Sequence, residues 1–292
     1  MKFYFLFLCL FFAKDIYAQE IVYFQELPVP TGIKKSVDSS IPNIRWNRYK
    51  TQNFSILSID INQGKFLETN IELMKTWSIT RWGLPDNLYS IECRIFCVPD
   101  KETMLKLFNM DASFAEVLGG INCIWLILDG KPAETIPSAL TMVSLSELEK
   151  DGYKFGWWLY RGLPNINLSL SQIKSNLIFI KPFIENDEGM FFTKSIFLMT
   201  KEKWEKLPVE QKKLFDAESA SLCLLIRKEF GEKLFLKFII TAYSESDLNE
   251  CLGYDSYNQI DGAYKRFIIN ICEDIVTKTI PDSYLQINKV KR

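Results

Sequence analysis

The spacing of apolar residues changes character near Gly130, and that change limits the fold more than any other feature of the chain. Upstream, "NFSILSID" has strand character, and "YSIECRIFCV" alternates over Tyr89, Ile91, Cys93, Ile95 and Cys97 as a half-buried strand does. "FAEVLGGINCIWLIL" predicts a hairpin through Gly119 and Gly120. Between the first two strands, Phe66, Ile71, Met74 and Ile79 fall at near-helical spacing, and Gly83 and Pro85 supply a stop. "DKETMLKLF" predicts a short helix capped by Asp100, whose carboxylate can accept from free first-turn amides.

Downstream of Gly130 the pattern is helical. "PSALTMVSLSELEK", "GWWLYRGL" and "SLSQIKSNL" each fit a helix, and "PVEQKKLFDAESASLCLLIRKEFG" opens with Pro208 and closes at Gly231. "EKLFLKFIITAYS" and "YNQIDGAYKRFIINICEDIV" follow, with "DLNECLG" between them. The order predicts an α+β fold: a mixed β-sheet lobe over residues 51–130, then a mainly helical lobe over 131–292. Residues 19–50 carry Pro28, Pro30, Gly32 and Pro42 and read as an extended leader laid over the domain surface.

Lys2 followed by "FYFLFLCLFF" and a small Ala18 has the layout of a signal peptide over residues 1–18. So short a run cannot cross a hydrocarbon layer of roughly 30 Å as a helix, so the mature chain is expected to lack a transmembrane helix. Export, to a secreted or periplasmic location, is the expectation. Six cysteines then remain: Cys93, Cys97, Cys123, Cys223, Cys251 and Cys272. Most sit among apolar residues and read as buried thiols, with Cys251 and Cys272 the pair to test for a disulfide. The sequons at Asn53 and Asn167 matter only where the cell glycosylates.

Charge excludes one class of partner. Lys plus Arg total 35 against 36 for Asp plus Glu, so there is no basic excess of the kind that holds nucleic acid. The chain also contains no histidine, which removes every histidine-dependent zinc site, triad or general base. No nucleophile elbow, phosphate loop or dinucleotide turn is present.

Several segments in order then become informative: a helix ending in "WGLP", a strand ending in "VPD", a hairpin, the apolar "IPSALTM", then "WLYRGL" and a late "AESASL". This order resembles the peptidase-MA-like group of gluzincin metallopeptidases from about Asn53 to Thr277. The resemblance implies a gluzincin-like fold in which one helix carries HExxH and a second carries a glutamate ligand. It places Ser138 and Met142 at the two zinc-binding histidines, Ala139 at the catalytic glutamate and Arg161 at the third ligand. Serine and a methionine thioether are poor substitutes for imidazole on Zn²⁺, alanine exchanges no proton, and a guanidinium repels the ion. The expectation is a degenerate member with no metal, no cofactor and no catalytic residue, and with Ser138, Met142 and Arg161 at the floor of a cleft between the lobes.

Such a pseudoenzyme would act through an unknown protein or peptide ligand, with Arg161 paired to an acid, Glu134 or Glu147 being candidates. Two alternatives stand beside it: a hydrolase using a non-standard site in the same cleft, and an unrelated secreted α+β binding domain. "IPSALTMVSL" also reads as an ordinary buried helix, and Trp157, Trp158 and Leu159 as core. The leader pattern generates one direct expectation: N-terminal mass spectrometry of exported protein should find the chain beginning near Gln19, and an intact Met1 would refute cleavage.

Overall fold

The computed structural model describes residues 20–23, 44–80, 93–108, 110, 113–118, 121–128, 132–150, 152–166, 170–186 and 188–277. The fold is mixed α and β, a sheet followed by a mostly helical region, and it divides into two compact units. The first draws on Met1–Glu72 and Ile91–Gly130, the second on Leu73–Ser90 and Lys131–Arg292.

In the first unit six strands lie in the order β1-β2-β3-β4-β6-β5. They are β1 (Glu20–Tyr23), β2 (Arg45–Lys50), β3 (Phe54–Ser58), β4 (Cys93–Val98), β5 (Phe114–Leu118) and β6 (Ile121–Ile127). Strands β3, β4 and β6 run parallel, and β1, β2 and β5 are added antiparallel. Helix α1 (Ile61–Thr80) makes the crossover from β3 to β4, and α2 (Lys101–Phe108) follows β4. Asp100 caps α2 as its position predicts, accepting from the Thr103 amide at 2.7 Å.

Leu57, Phe96, Trp125 and Phe114 stand opposite one another on four neighbouring strands, so they form a row on one face of the sheet. The Trp125 ring stacks between Phe114, at 4.4 Å, and Phe96, at 5.3 Å. Trp46 and Phe108 close this core together with Met104 and Leu107 of α2. Tyr49, Ile56, Ile95 and Ile124 lie on the opposite face. There α1 packs so closely that a Cβ on Gly64 would lie 2.2 Å from the Tyr49 ring. Helix cover on both faces explains why β4 is buried along nearly its whole length, where alternation alone predicts a half-buried strand.

The leader expected over 19–50 is corrected. It contributes β1 and β2, and Trp46 within it is fully buried. The strand signal in "RWNRYK" is obscured because Arg45, Arg48 and Lys50 surround its two aromatic residues. The β2–β3 turn is held by Glu72 of α1. That carboxylate accepts from Thr51 Oγ1 at 2.6 Å, the Asn53 amide at 2.8 Å and Asn53 Nδ2 at 2.7 Å. Buried and engaged in this way, the Asn53 sequon offers no side-chain nitrogen for glycosylation; Asn167 lies outside the described residues.

The second unit contains α3 (Pro132–Lys150), α4 (Trp157–Ile166), α5 (Leu170–Asn186), α6 (Thr193–Phe197), α7 (Lys201–Glu205), α8 (Val209–Ile239), α9 (Glu245–Leu252) and α10 (Tyr257–Thr277). The short α6 and α7 are additions that periodicity did not reveal, since five residues display no repeat. Helix α4 packs along α8, and α10 packs against α5 and α8. Trp158, Phe197, Phe238 and Tyr243 meet in an aromatic cluster with ring separations between 5.1 and 5.8 Å. All six described cysteines are buried, as their apolar surroundings predict, and the pair to test, Cys251 and Cys272, is not joined by a disulfide. Cys272 instead points its thiol at the Leu177 carbonyl of α5, 3.3 Å away.

Helix α8 breaks where the sequence predicts a stop. Gly231 has φ 77° and ψ 174°, a conformation closed to residues with a Cβ, and helix resumes after it. Nothing lies within 4 Å of a Cβ added there, so a substitution would act through the backbone alone. Gly231→Ala is therefore expected to lower stability by about 1–3 kcal/mol in urea denaturation, and an unchanged midpoint would show that the break relaxes freely.

Candidate functional site

Helix α3 carries the apolar stretch in which the degenerate motif is read. Ile136, Leu140, Val143, Leu145 and Leu148 are buried, which gives the helix its packing surface. Its polar residues are absorbed locally: Thr141 Oγ1 donates to the Pro137 carbonyl at 2.8 Å and Ser144 Oγ to Leu140 at 2.7 Å. Ser138 and Met142, at i and i+4, share one face and are both half-buried. Ser138 Oγ donates to the Pro164 carbonyl of α4 at 2.7 Å, tying α3 to α4. Ala139 is 5 % exposed and belongs to the core.

Arg161 lies three residues before Pro164 on α4, and its guanidinium is held from the α8 side. Nε donates to Asp216 Oδ1 at 2.8 Å, and Nη2 makes a second, shorter bond to Oδ2. The pair is bidentate, the geometry in which a guanidinium and a carboxylate match best. Trp204 of α7 completes it: its ring centroid is 4.3 Å from the guanidinium carbon, and its Nε1 donates to Asp216 Oδ1 at 3.2 Å. Trp157 packs on Trp204 at 5.7 Å, and Lys212 Nζ lies 5.0 Å from the Trp204 ring.

An acidic partner for Arg161 is therefore present, but it is neither acid named from the sequence. Glu147 pairs with Lys150 Nζ at 2.6 Å, and the Glu134 side chain lies outside the described residues. The helix order in sequence hides the answer, because α4 packs along α8, more than forty residues away, as closely as on its neighbour α3. Gly162 makes that packing possible: a Cβ there would sit 2.7 Å from the Ser219 carbonyl and 2.9 Å from Cys223 Sγ. The structure thus links Ser138 to α4 and Arg161 to α8. Among the described residues no hydrogen bond or ion pair joins Arg161 to Ser138 or Met142.

Sequence reading passed over Glu218, an acid set in the apolar run "LFDAESASLCLLI". Its side chain is fully buried. Burial pushes its carboxyl up to about 8, against a lowering hydrogen bond from the Phe191 amide and with a further push from the Asp261 charge. The isolated acid between small and apolar residues was the available signal.

No cluster of three or more His, Cys, Asp or Glu side chains able to hold one metal ion occurs among the described residues. A small cavity between α4, α5 and α8, lined by Asn165, Asn176, Ser221 and Leu224, has about 10 Å³, room for roughly one water. Comparison with protein-family models and with curated proteins returns no match for the chain.

The ion pair makes a quantitative expectation. Arg161 and Asp216 side chains are 25 % and 18 % exposed, so their two charge-assisted bonds and the Trp204 contact are partly screened. Arg161→Ala should cost about 1–2 kcal/mol, and a double-mutant cycle with Asp216→Ala should recover most of that as coupling. Additive losses would show that the pair acts independently in solution.

Proposed function

We propose that the chain is an exported, noncatalytic peptidase-like protein that works by binding a protein or peptide. What carries this reading is the use made of the family's ligand positions. At the third-ligand position stands Arg161, engaged with Asp216 and Trp204. At the first-histidine position stands Ser138, engaged with the Pro164 carbonyl, and the catalytic-glutamate position is a buried alanine. Each residue has a packing role in its own helix contact, and each lacks the chemistry that polarises water or takes its proton.

Export is supported by the signal-like start of the sequence and is compatible with the cysteines. Burial raises the Cys97 thiol to about 12 and the Cys272 thiol to about 11, so little thiolate is available for oxidation. The hydrolase alternative needs an acid or base that reaches solvent. Glu218, the carboxyl with the largest upward displacement among the described residues, is sealed in the helical core.

The test pairs metal analysis with proteolysis. Mature protein purified with zinc in the medium should carry no stoichiometric divalent ion and should leave casein intact. A variant combining Ser138→His, Ala139→Glu, Met142→His and Arg161→Glu should remain inactive, because the residues that orient each ligand are also needed. A stoichiometric ion in the wild-type chain, with cleavage abolished by a chelator, would overturn the proposal.

A further inference from the structure

Glu218 of α8 and Asp261 of α10 are used in a way that the peptidase-like reading does not explain. Both are buried, at 0 % and 8 % exposure. Both accept main-chain amides from one short stretch between α5 and α6. The Phe191 amide donates to Glu218 Oε2 at 3.0 Å, and the Thr193 amide donates to Asp261 Oδ1 at 2.8 Å. Thr193 is the first residue of α6, and Phe192 before it provides no side-chain cap. Asp261 therefore caps α6 from another helix, satisfying an amide that the helix itself leaves open.

The second oxygen of Glu218, Oε1, is buried without a hydrogen-bond partner, as is Thr193 Oγ1. Two ionised carboxylates this deep, acting on each other, would leave such an oxygen desolvated and uncompensated, whereas a proton on it removes the charge. The stretch that the two acids grip also carries apolar anchors on either side. Phe191 packs edge-on against Phe215 of α8 at 5.5 Å, and Phe197 of α6 enters the aromatic cluster beside Trp158 at 5.1 Å.

We propose that Glu218 and Asp261 form a proton-gated clasp on residues 188–193, closed while Glu218 keeps its proton and loosened when it ionises. This is independent of the peptidase-like reading, since neither acid stands at a ligand or catalytic position of that reading.

The surrounding charges leave the pair to itself. Tyr264 of α10 is coupled to Glu218 and is itself pushed far up by burial, so it stays neutral. Asp216, two residues before Glu218, is neutralised by Arg161 of α4. Lys181 and Glu185 of α5 pair with each other at 2.8 Å and act on Cys272. Of the α9 acids, Asp247 accepts from Ser244 at 2.8 Å, and Glu250 lies 3.7 Å from Lys237. On the gripped stretch Glu188 is exposed, and Lys194 at its end holds its ammonium 5.2 Å from the Tyr257 ring.

Because the Glu218 carboxyl is raised from its ordinary 4.5 to about 8, the folded chain holds a proton that the unfolded chain has released across that interval. Stability is thus fully present below about 4.5, falls as pH rises, and has lost this contribution above about 8.

Hydrogen exchange on the full chain between pH 6 and 9 tests the clasp. After correction for intrinsic exchange, protection of the peptide spanning 188–193 should fall roughly tenfold or more between pH 6 and about 8 and level off above that, while β4 protection stays level. Glu218→Gln keeps an acceptor for the Phe191 amide but cannot ionise, and should hold protection flat. Should that variant not fold, Asp261→Asn removes the neighbouring charge and should lower the pH at which protection levels off. Wild-type protection that does not change over this range, or the same fall in Glu218→Gln, would overturn the clasp.

Discussion

The helical unit is organised by the approach of α4 to α8 at Gly162, where there is no room for a side chain between the two backbones. Once the helices are this close, Trp158, Leu159 and Leu163 are driven into the core on one side, while Arg161 emerges at the margin beside Asp216. Burying Trp158 and its apolar neighbours is worth about 1.5–3 kcal/mol for each large side chain. A partly exposed ion pair contributes less. Burial therefore sets the register of the two helices, and the Arg161–Asp216 pair follows from it. The Ser138 hydrogen bond to Pro164 then fixes α3 on the other flank of α4.

The sheet of the first unit follows an equivalent logic with aromatic rings in place of a glycine. Trp125 stacks between rings of both neighbouring strands, and the row ends at Leu57. A one-residue slip would turn the whole row to the other face, so the parallel register of β3, β4 and β6 is held strongly. On that other face Gly64 admits Tyr49, and Glu72 ties the β2–β3 turn to the same helix. Helix α1 consequently fixes both the packing of the sheet and the antiparallel strand added at its edge.

How much of this could be read from the residues depended on whether the signal was local. The strands "NFSILS" and "CRIFCV", the α2 cap at Asp100, the 118–121 hairpin pairing and the stop at Gly231 all follow from neighbours in sequence. Strands β1 and β2 were obscured by prolines around them and by charge within "RWNRYK". The partner of Arg161 was legible as a type, an acid, because a partly buried guanidinium must be compensated. Its identity depended on tertiary packing between α4 and α8, which no periodicity encodes. For Glu218 the spacing was in plain view, but the meaning was not: an acid in an apolar helix is explained only by the amides that another part of the chain brings to it.

The two kinds of acid in the helical unit show why similar side chains do different work. Asp216 meets a permanent cation, Arg161, in a bidentate contact at the margin of the unit. Glu218, only two residues further along the same helix, turns inward to a single amide and a second carboxyl. One neutral hydrogen bond offsets only a fraction of the cost of desolvating a carboxylate, so the inward acid keeps its proton up to about 8. Asp261 also receives an amide, that of Thr193 at the start of α6. The two buried acids thus each take one amide from residues 191–193, and Glu218 is the one left with a buried oxygen that has no partner.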